Sequence, residues 1–300
     1  MTTSQTLQRR IKTAGELQAI VRTMKALAAV SIHQYEQAVV SLAEHDRALA
    51  LGARILMINN PDVLAIQRPS RPRRLGIVVF GTDQGMCGRF NQQLVEFMLS
   101  RLERLHQASL THGLSLPPPT LLAIGSRVAD GLLMAGQSVE QCLSIPSSID
   151  SITPLVQHIV LQLEAWRQTG RVEHIWVFYN RPMGGTRSTS TLLQLFPLSY
   201  LHLQKLQQQP WPSRCRPQRT MADERLFSAW FQQHFFIGLY RACAESLAGE
   251  NASRLASMQI AEKNIEDRLL SLRIDFQQQR QAAITEELLD IVSGFEALSS

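Results

Sequence analysis

Leu7-Gln-Arg-Arg-Ile11-Lys-Thr-Ala14 opens a series that Val21, Met24, Ala28, Ser31, Tyr35, Ala38 and Leu42 continue at steps of three and four, with only Gln18 interrupting it. That alternation is the seam of a helix built to pair with another helix. Its small residues allow close approach, and Ile20, Leu27 and Val39 add apolar surface beside it. No proline interrupts the run. All 13 prolines lie between Pro61 and Pro217, which leaves 60 residues at the front and 83 at the back without a helix breaker. At 1.5 Å rise per residue, helices of that size reach roughly 90 and 120 Å. In the second arm Ile265, Leu269, Leu272 and Phe276 keep the same rhythm, and Ile284, Leu288, Ile291, Phe295 and Leu298 resume it after a break at Arg280. The spacing predicts a middle domain, residues 61–217, whose arms, residues 1–60 and 218–300, run back along each other as a long antiparallel coiled coil.

If both arms leave the middle domain together, counting at equal rise puts Met24 near Arg254 and Met1 near Gln277. Residues 278–300 then have no partner arm. A lone helix with an apolar stripe is unstable in water, so the tip belongs inside a container. A ring of other subunits is one such container, and self-association through the same stripe is another.

Between the arms, Leu75–Phe80 reads as a buried strand. It is followed by the turn Gly81-Thr-Asp-Gln-Gly-Met-Cys-Gly88 and a helix from Asn91 to about His106. Thr120–Gly125, His174–Asn180 and Leu192–Leu198 are further strand candidates, with helices near Ser126–Ala135 and Ile152–Arg167 between them. This alternation predicts a Rossmann-like, layered α/β domain with parallel strand pairs. A glycine-rich turn between strand and helix can hold phosphate on its N–H groups. Here it lacks Gly-x-Gly-x-x-Gly spacing, and Arg89-Phe90 stands where a phosphate loop needs Lys followed by Ser or Thr, so a structural turn is the reading. Cys87 has no neighbouring base and reads as a packed thiol.

With 45% hydrophobic residues a sizeable core is available, and no apolar run approaches the ~20 residues of a membrane span. Arg9, Arg10 and Lys12 precede the first acid, Glu16, but the helical seam begins by Leu7 and leaves little room for a transit peptide. The net charge of +5 divides into +3 for residues 1–60, −4 for 218–300 and the remainder between, a distribution that disfavours nucleic acid. Arg68, Arg71, Arg73 and Arg74 form a basic cluster that suits a solvated connector, anionic lipid or an acidic partner. Cys87, Cys142, Cys215 and Cys243 show no metal-ligand spacing, the eight histidines do not cluster, and no catalytic constellation, cofactor motif or metal site emerges. Reduced thiols are expected. The Asn251-Ala-Ser253 sequon lies in a predicted helix and reads as chance.

Ile284-Thr-Glu-Glu-Leu288-Leu-Asp-Ile291-Val-Ser-Gly294 closely resembles the C-terminal signature of the gamma subunits of F-type ATP synthases. Ser246 to Met258, Arg280-Gln281-Ala282, Arg10-Ile11-Lys12, Met24 to Ala29 and Gly85-Met-Cys-Gly88 resemble further segments of that family, so the likeness spans nearly the whole chain. Phe295 in place of a small residue, Asn251, Ser253 and the Val30-Ser-Ile-His33 run mark a divergent branch. No paired-cysteine insertion like that of the chloroplast branch lies in 199–219.

The resemblance implies a non-catalytic central shaft. Its partners would be alpha and beta subunits of the catalytic ring, the epsilon subunit and the membrane rotor ring of c subunits, at the cytoplasmic face of a bacterial inner membrane. It implies contacts of Met24 and Arg254 with the beta lever loops, with Arg22 and Lys25 as further exposed charges there. Arg280 and Gln281 would meet a beta catch loop, and Ile284, Leu288, Ile291, Phe295 and Leu298 would form an apolar bearing. A coiled-coil adaptor with a Rossmann-like head shares the proline distribution but has no use for the tip signature.

Overall fold

The computed structural model describes residues 3–59, 74–111, 116–198, 204–206, 208, 211 and 222–299, with the side chains at 3, 4, 58, 59, 223 and 293–299 excepted. The chain divides into two compact units, Met1–Ala29 with Arg254–Ser300, and Val30–Ser253. Three helices supply the arms: α1 (Thr3–Ser41), α2 (Ala43–Asn59) and the 77-residue α6 (Asp223–Ser299). The first arm is therefore two helices instead of the single one expected. At the joint the Ser41 hydroxyl bonds the Ala38 carbonyl at 2.8 Å and Leu42 N–H bonds Val39 O at 3.1 Å. A serine hydroxyl that takes a carbonyl of the preceding turn competes with the helix ladder and bends it.

The second unit is built on a mixed five-stranded sheet in the order β3-β2-β1-β4-β5. Its elements are β1 (Leu75–Phe80), α3 (Phe90–Leu110), β2 (Thr120–Ile124), α4 (Ser126–Met134), β3 (Val139–Leu143), α5 (Ile152–Gln168), β4 (His174–Pro182) and β5 (Ser188–Phe196). β1 pairs in parallel with β2 and β4, β2 in parallel with β3, and β5 runs antiparallel beside β4. Alternate residues of β1 enter opposite faces. Ile77 and Val79 pack with Leu94 and Met98 of α3 and Val128 and Leu132 of α4, while Val78 and Phe80 pack with Val156 and Leu163 of α5 and Phe235 and Leu239 of α6. Strands covered on both faces read as continuous apolar runs, which is why Leu75–Phe80 was legible as a strand.

Two strand expectations needed correction. β3 escaped notice because Val139-Glu-Gln-Cys-Leu143 is a short edge strand whose residues alternate between half-buried and exposed. β5 begins at Ser188, four residues before the expected start, because its Ser-Thr-Ser-Thr opening lies on a partly exposed edge where hydroxyl side chains are as well suited as apolar ones.

Candidate interaction surface of the helical arms

In the first unit α1 and α6 meet through an antiparallel set of polar pairs. Glu262 accepts from Lys25 Nζ at 2.5 Å and from Arg22 Nε at 2.8 Å, and Glu266 accepts from Arg22 Nη2 and Gln18 Nε2, each at 3.1 Å. Around this ladder Leu7 and Ala28 of α1 and Met258, Leu269 and Leu272 of α6 are buried. Met24 is half-buried and Arg254 is buried.

The register differs from the count. Equal rise from residues 60 and 218 sets Met24 against Arg254, whereas the ladder sets Lys25 and Arg22 against Glu262, displaced by six to ten residues. The helices end at Asn59 and begin at Asp223, so the true points of departure account for half of the difference. Arg22 and Lys25, expected as exposed charges for contact with the beta lever loops, both pair with acids of the facing helix, and the Arg22 side chain stays 56% exposed. Glu262 and Glu266 were the residues missed; the signal for Glu262 was its place in the seam, three residues before Ile265 and four after Met258.

Lys25, and after it Arg22, hold the Glu262 carboxyl below the usual carboxylate range. A folded-state pKa below the unfolded one gives stability that is complete above the unfolded value, about 4.3, and is lost as pH falls through the folded value. Helix content of the chain should therefore melt at a steady temperature from pH 7 to 5 and at falling temperature below about pH 4. Glu262→Gln should flatten part of that acid limb; an identical limb in the variant would remove Glu262 from the ladder.

Further along α6, Arg280 and Gln281 are exposed, and the Thr285 hydroxyl bonds Gln281 O at 2.9 Å. The apolar series that follows is open to solvent: Ile284 is 48% exposed, Leu288 57% and Ile291 65%, with Leu289 and Val292 also exposed beside them. The side chains of Phe295 and Leu298 lie outside the described residues. Exposed apolar side chains at this density mark a surface that meets another molecule.

The glycine-rich turn serves the fold. Thr82 Oγ1 donates to Gln84 O and accepts from Asn91 Nδ2, both at 2.8 Å, and Thr82 O accepts from Arg127 N at 2.9 Å. The Asp83 carboxylate accepts from Ser126 N–H at 2.7 Å and Ile145 N–H at 2.8 Å, so the start of α4 is tied down by the chain's own acid. A Cβ on Gly81 would stand 2.2 Å from Val128 Cβ. Cys87 is buried, Cys142 exposed, and burial pushes the Cys243 thiol well up.

A cleft of about 480 Å³, lined by Leu75, Leu99, Leu102, Leu105, His106 and Gln137, opens at the start of β1, the end opposite the glycine-rich turn. Among the described residues no group of three or more His, Cys, Asp or Glu is placed to hold a metal ion, and no helix is long and apolar enough to cross a membrane. Of the basic cluster, Arg74 bonds Gly170 O and lies 3.8 Å from Glu173; Arg68, Arg71 and Arg73, like Cys215, lie outside the described residues.

The family model for ATP synthase matches residues 3–298. The ATP synthase gamma chain of Ehrlichia chaffeensis is 24% identical over 290 residues, covering 97% of each chain. That of Polynucleobacter necessarius is 24% identical over 304 residues, covering 99% of this chain and all of its own. Among solved structures, a chain of the Euglena gracilis mitochondrial ATP synthase (OSCP/F1/c-ring, rotational state 3) aligns over 99% of this chain and 94% of its own with a TM-score of 0.62 at 16% identity. A chain of the rotor of that enzyme aligns over 94% and 99% with a TM-score of 0.58, also at 16% identity. Matched from end to end by family, by relatives and by fold, this chain belongs to the gamma-subunit family of ATP synthases, the central-stalk component of those complexes.

Proposed function

We propose that this chain is the central rotor shaft of an F-type ATP synthase, coupling ion flow through a membrane ring of c subunits to ATP synthesis or hydrolysis at an alpha/beta ring. The observation that carries the reading is the solvent-exposed series Ile284, Leu288 and Ile291 at the end of a helix of family-typical sequence. A free chain has no use for it, and an apolar sleeve formed by surrounding subunits covers it without demanding a fixed rotational register. Phe295 and Leu298 continue the series in sequence.

In this reading the arms form an antiparallel coiled coil inside the ring, and the Rossmann-like α/β foot, with the epsilon subunit, stands on the rotor ring at the cytoplasmic face of a bacterial inner membrane. The chain brings no catalytic group, cofactor or metal. Its asymmetric surface contacts the three beta subunits differently, so each holds nucleotide with a different affinity, and rotation exchanges those affinities. The shaft shifts a site only by the difference between its contact energies with the alternative states.

Met24 and Arg254 contact the beta lever loops; because Arg254 is buried in the free chain, it acts there through a limited face. Exposed Arg280 and Gln281 meet the catch loop, which explains the polar break in the apolar series. Arg280→Ala is expected to leave assembly intact and to lower ion pumping per ATP hydrolysed. Unchanged pumping, measured by fluorescence quenching in inverted vesicles, would count against the contact.

The test of the whole reading is co-expression with the alpha and beta subunits from the same source and purification through a tag on beta. Recovery at one copy per three beta, with hydrolysis lost on omission of the chain, is the expected result. Folded chain that stays out of the ring would leave an adaptor as the better reading.

A further inference from the structure

Glu262 occupies a place that α6 otherwise gives to apolar side chains. Met258, Glu262, Ile265, Leu269 and Leu272 follow steps of four and three, and Met258, Leu269 and Leu272 are buried. The Glu262 side chain is only 14% exposed, against 56% for Arg22 and 37% for Lys25, so the carboxylate sits inward and its cations reach in to it. Gln18, which interrupts the apolar seam of α1, is part of the same ladder through Glu266.

A seam that repeats every seven residues is indifferent to a slip of seven, because each such slip sets apolar against apolar again. A slip of that size moves one helix along the other by roughly 10 Å. The charges are not indifferent. Sliding α6 so that Met24 stands against Arg254 brings Lys25 beside Arg254 and carries Glu262 to the level of Glu16, exchanging ion pairs for like-charge neighbours. Sliding it the other way carries Glu262 past both Arg22 and Lys25 and leaves a carboxylate in the seam without them, the costly way to bury a charge.

We propose that Glu262 is a positioning residue that fixes the axial register of α1 against α6 in the first unit, selecting one heptad setting from those the apolar spacing allows. Arg22, Lys25 and Gln18 act with it. The shaft reading is not needed for this: the key operates in the isolated chain and decides which residues of the two helices share a level.

Pulsed electron paramagnetic resonance on the full chain tests it, with nitroxides at Ile20→Cys and Leu289→Cys, both exposed sites and set well apart along the helix axis so that an axial slip changes their distance almost in full, in a background of Cys142→Ser and Cys215→Ser. The parent should give one distance. Glu262→Lys should move or split it by on the order of 10 Å, one heptad of rise. The charge swap Lys25→Glu with Glu262→Lys should restore the single distance. An unchanged distribution in Glu262→Lys, or a displaced one that the swap leaves uncorrected, would overturn the proposal. If Glu262→Lys does not fold, Glu262→Gln decides: a second distance at seven residues' displacement supports the key, and the parent distribution alone refutes it.

Discussion

Gly81→Ala should lower the melting temperature of the chain by roughly 6 to 12 °C. The added Cβ would lie 2.2 Å from Val128 Cβ, 2.4 Å from its Cγ1 and 2.8 Å from Asn91 Oδ1. None of these is the free end of a flexible side chain. Val128 is fully buried on α4, and α4 cannot retreat, because Asp83 holds Ser126 N–H and Thr82 O holds Arg127 N–H at its first turn. Overpacking at a site that cannot relax costs about 3 kcal/mol, the upper part of its usual range. A unit of this size loses about 2–4 °C per kcal/mol.

Circular dichroism melts of the single variant and of Gly81→Ala with Val128→Ala measure the effect, and the second change should recover part of the loss. A melt equal to the parent's would show that α4 moves freely and that the glycine has some other purpose. The result also bears on the turn's role, since a glycine kept for a phosphate would give a ligand-dependent melt and a glycine kept for packing would not.

The same turn shows how much of the molecule could be read from residues alone. The lack of a lysine-serine pair after Gly88 read the turn as a structural one, yet the partner that crowds it, Val128, lies 47 residues away and no local pattern announces it. Strands buried on both faces were legible because burial writes itself as unbroken apolar runs; β3 was not, because an edge strand with Glu140 and Cys142 exposed and Gln141 half-buried has no such run. The arms were legible as helices from the absence of proline and the 4-3 spacing, and the break at Leu42 was not, since a serine hydroxyl turned back on a carbonyl looks like any other serine in sequence.

The register was the instructive miss. Apolar periodicity specifies a face and leaves the axial setting open by whole heptads, so a count from guessed ends was bound to carry an error of that order. The information lay in exceptions such as Gln18 and Glu262, polar residues that the seam had to accommodate.

Met24→Lys should slow ATP-driven ion pumping about tenfold while the complex still assembles and hydrolyses ATP. Met24 is half-buried beside Lys25 and two residues from Arg22, and the two facing acids are already taken: Glu262 by both cations, Glu266 by Arg22 and Gln18. A third cation within four residues meets two facing carboxylates that are already engaged, and its ammonium is left available to an acid from outside. In the shaft reading the nearest outside acids are those of the beta lever loops. An added contact of about 1.4 kcal/mol in the resting state, absent at the top of the barrier, slows each step by a factor of ten.

Met24→Gln, polar and neutral, should pump near the parent rate, which separates charge from the loss of an apolar side chain. Raised salt should recover part of the Met24→Lys defect if the new pair is solvent-accessible. Normal pumping by Met24→Lys would mean that this level of the shaft faces no acidic partner, and the torque contact would then have to be sought among the exposed residues from Arg280 onward.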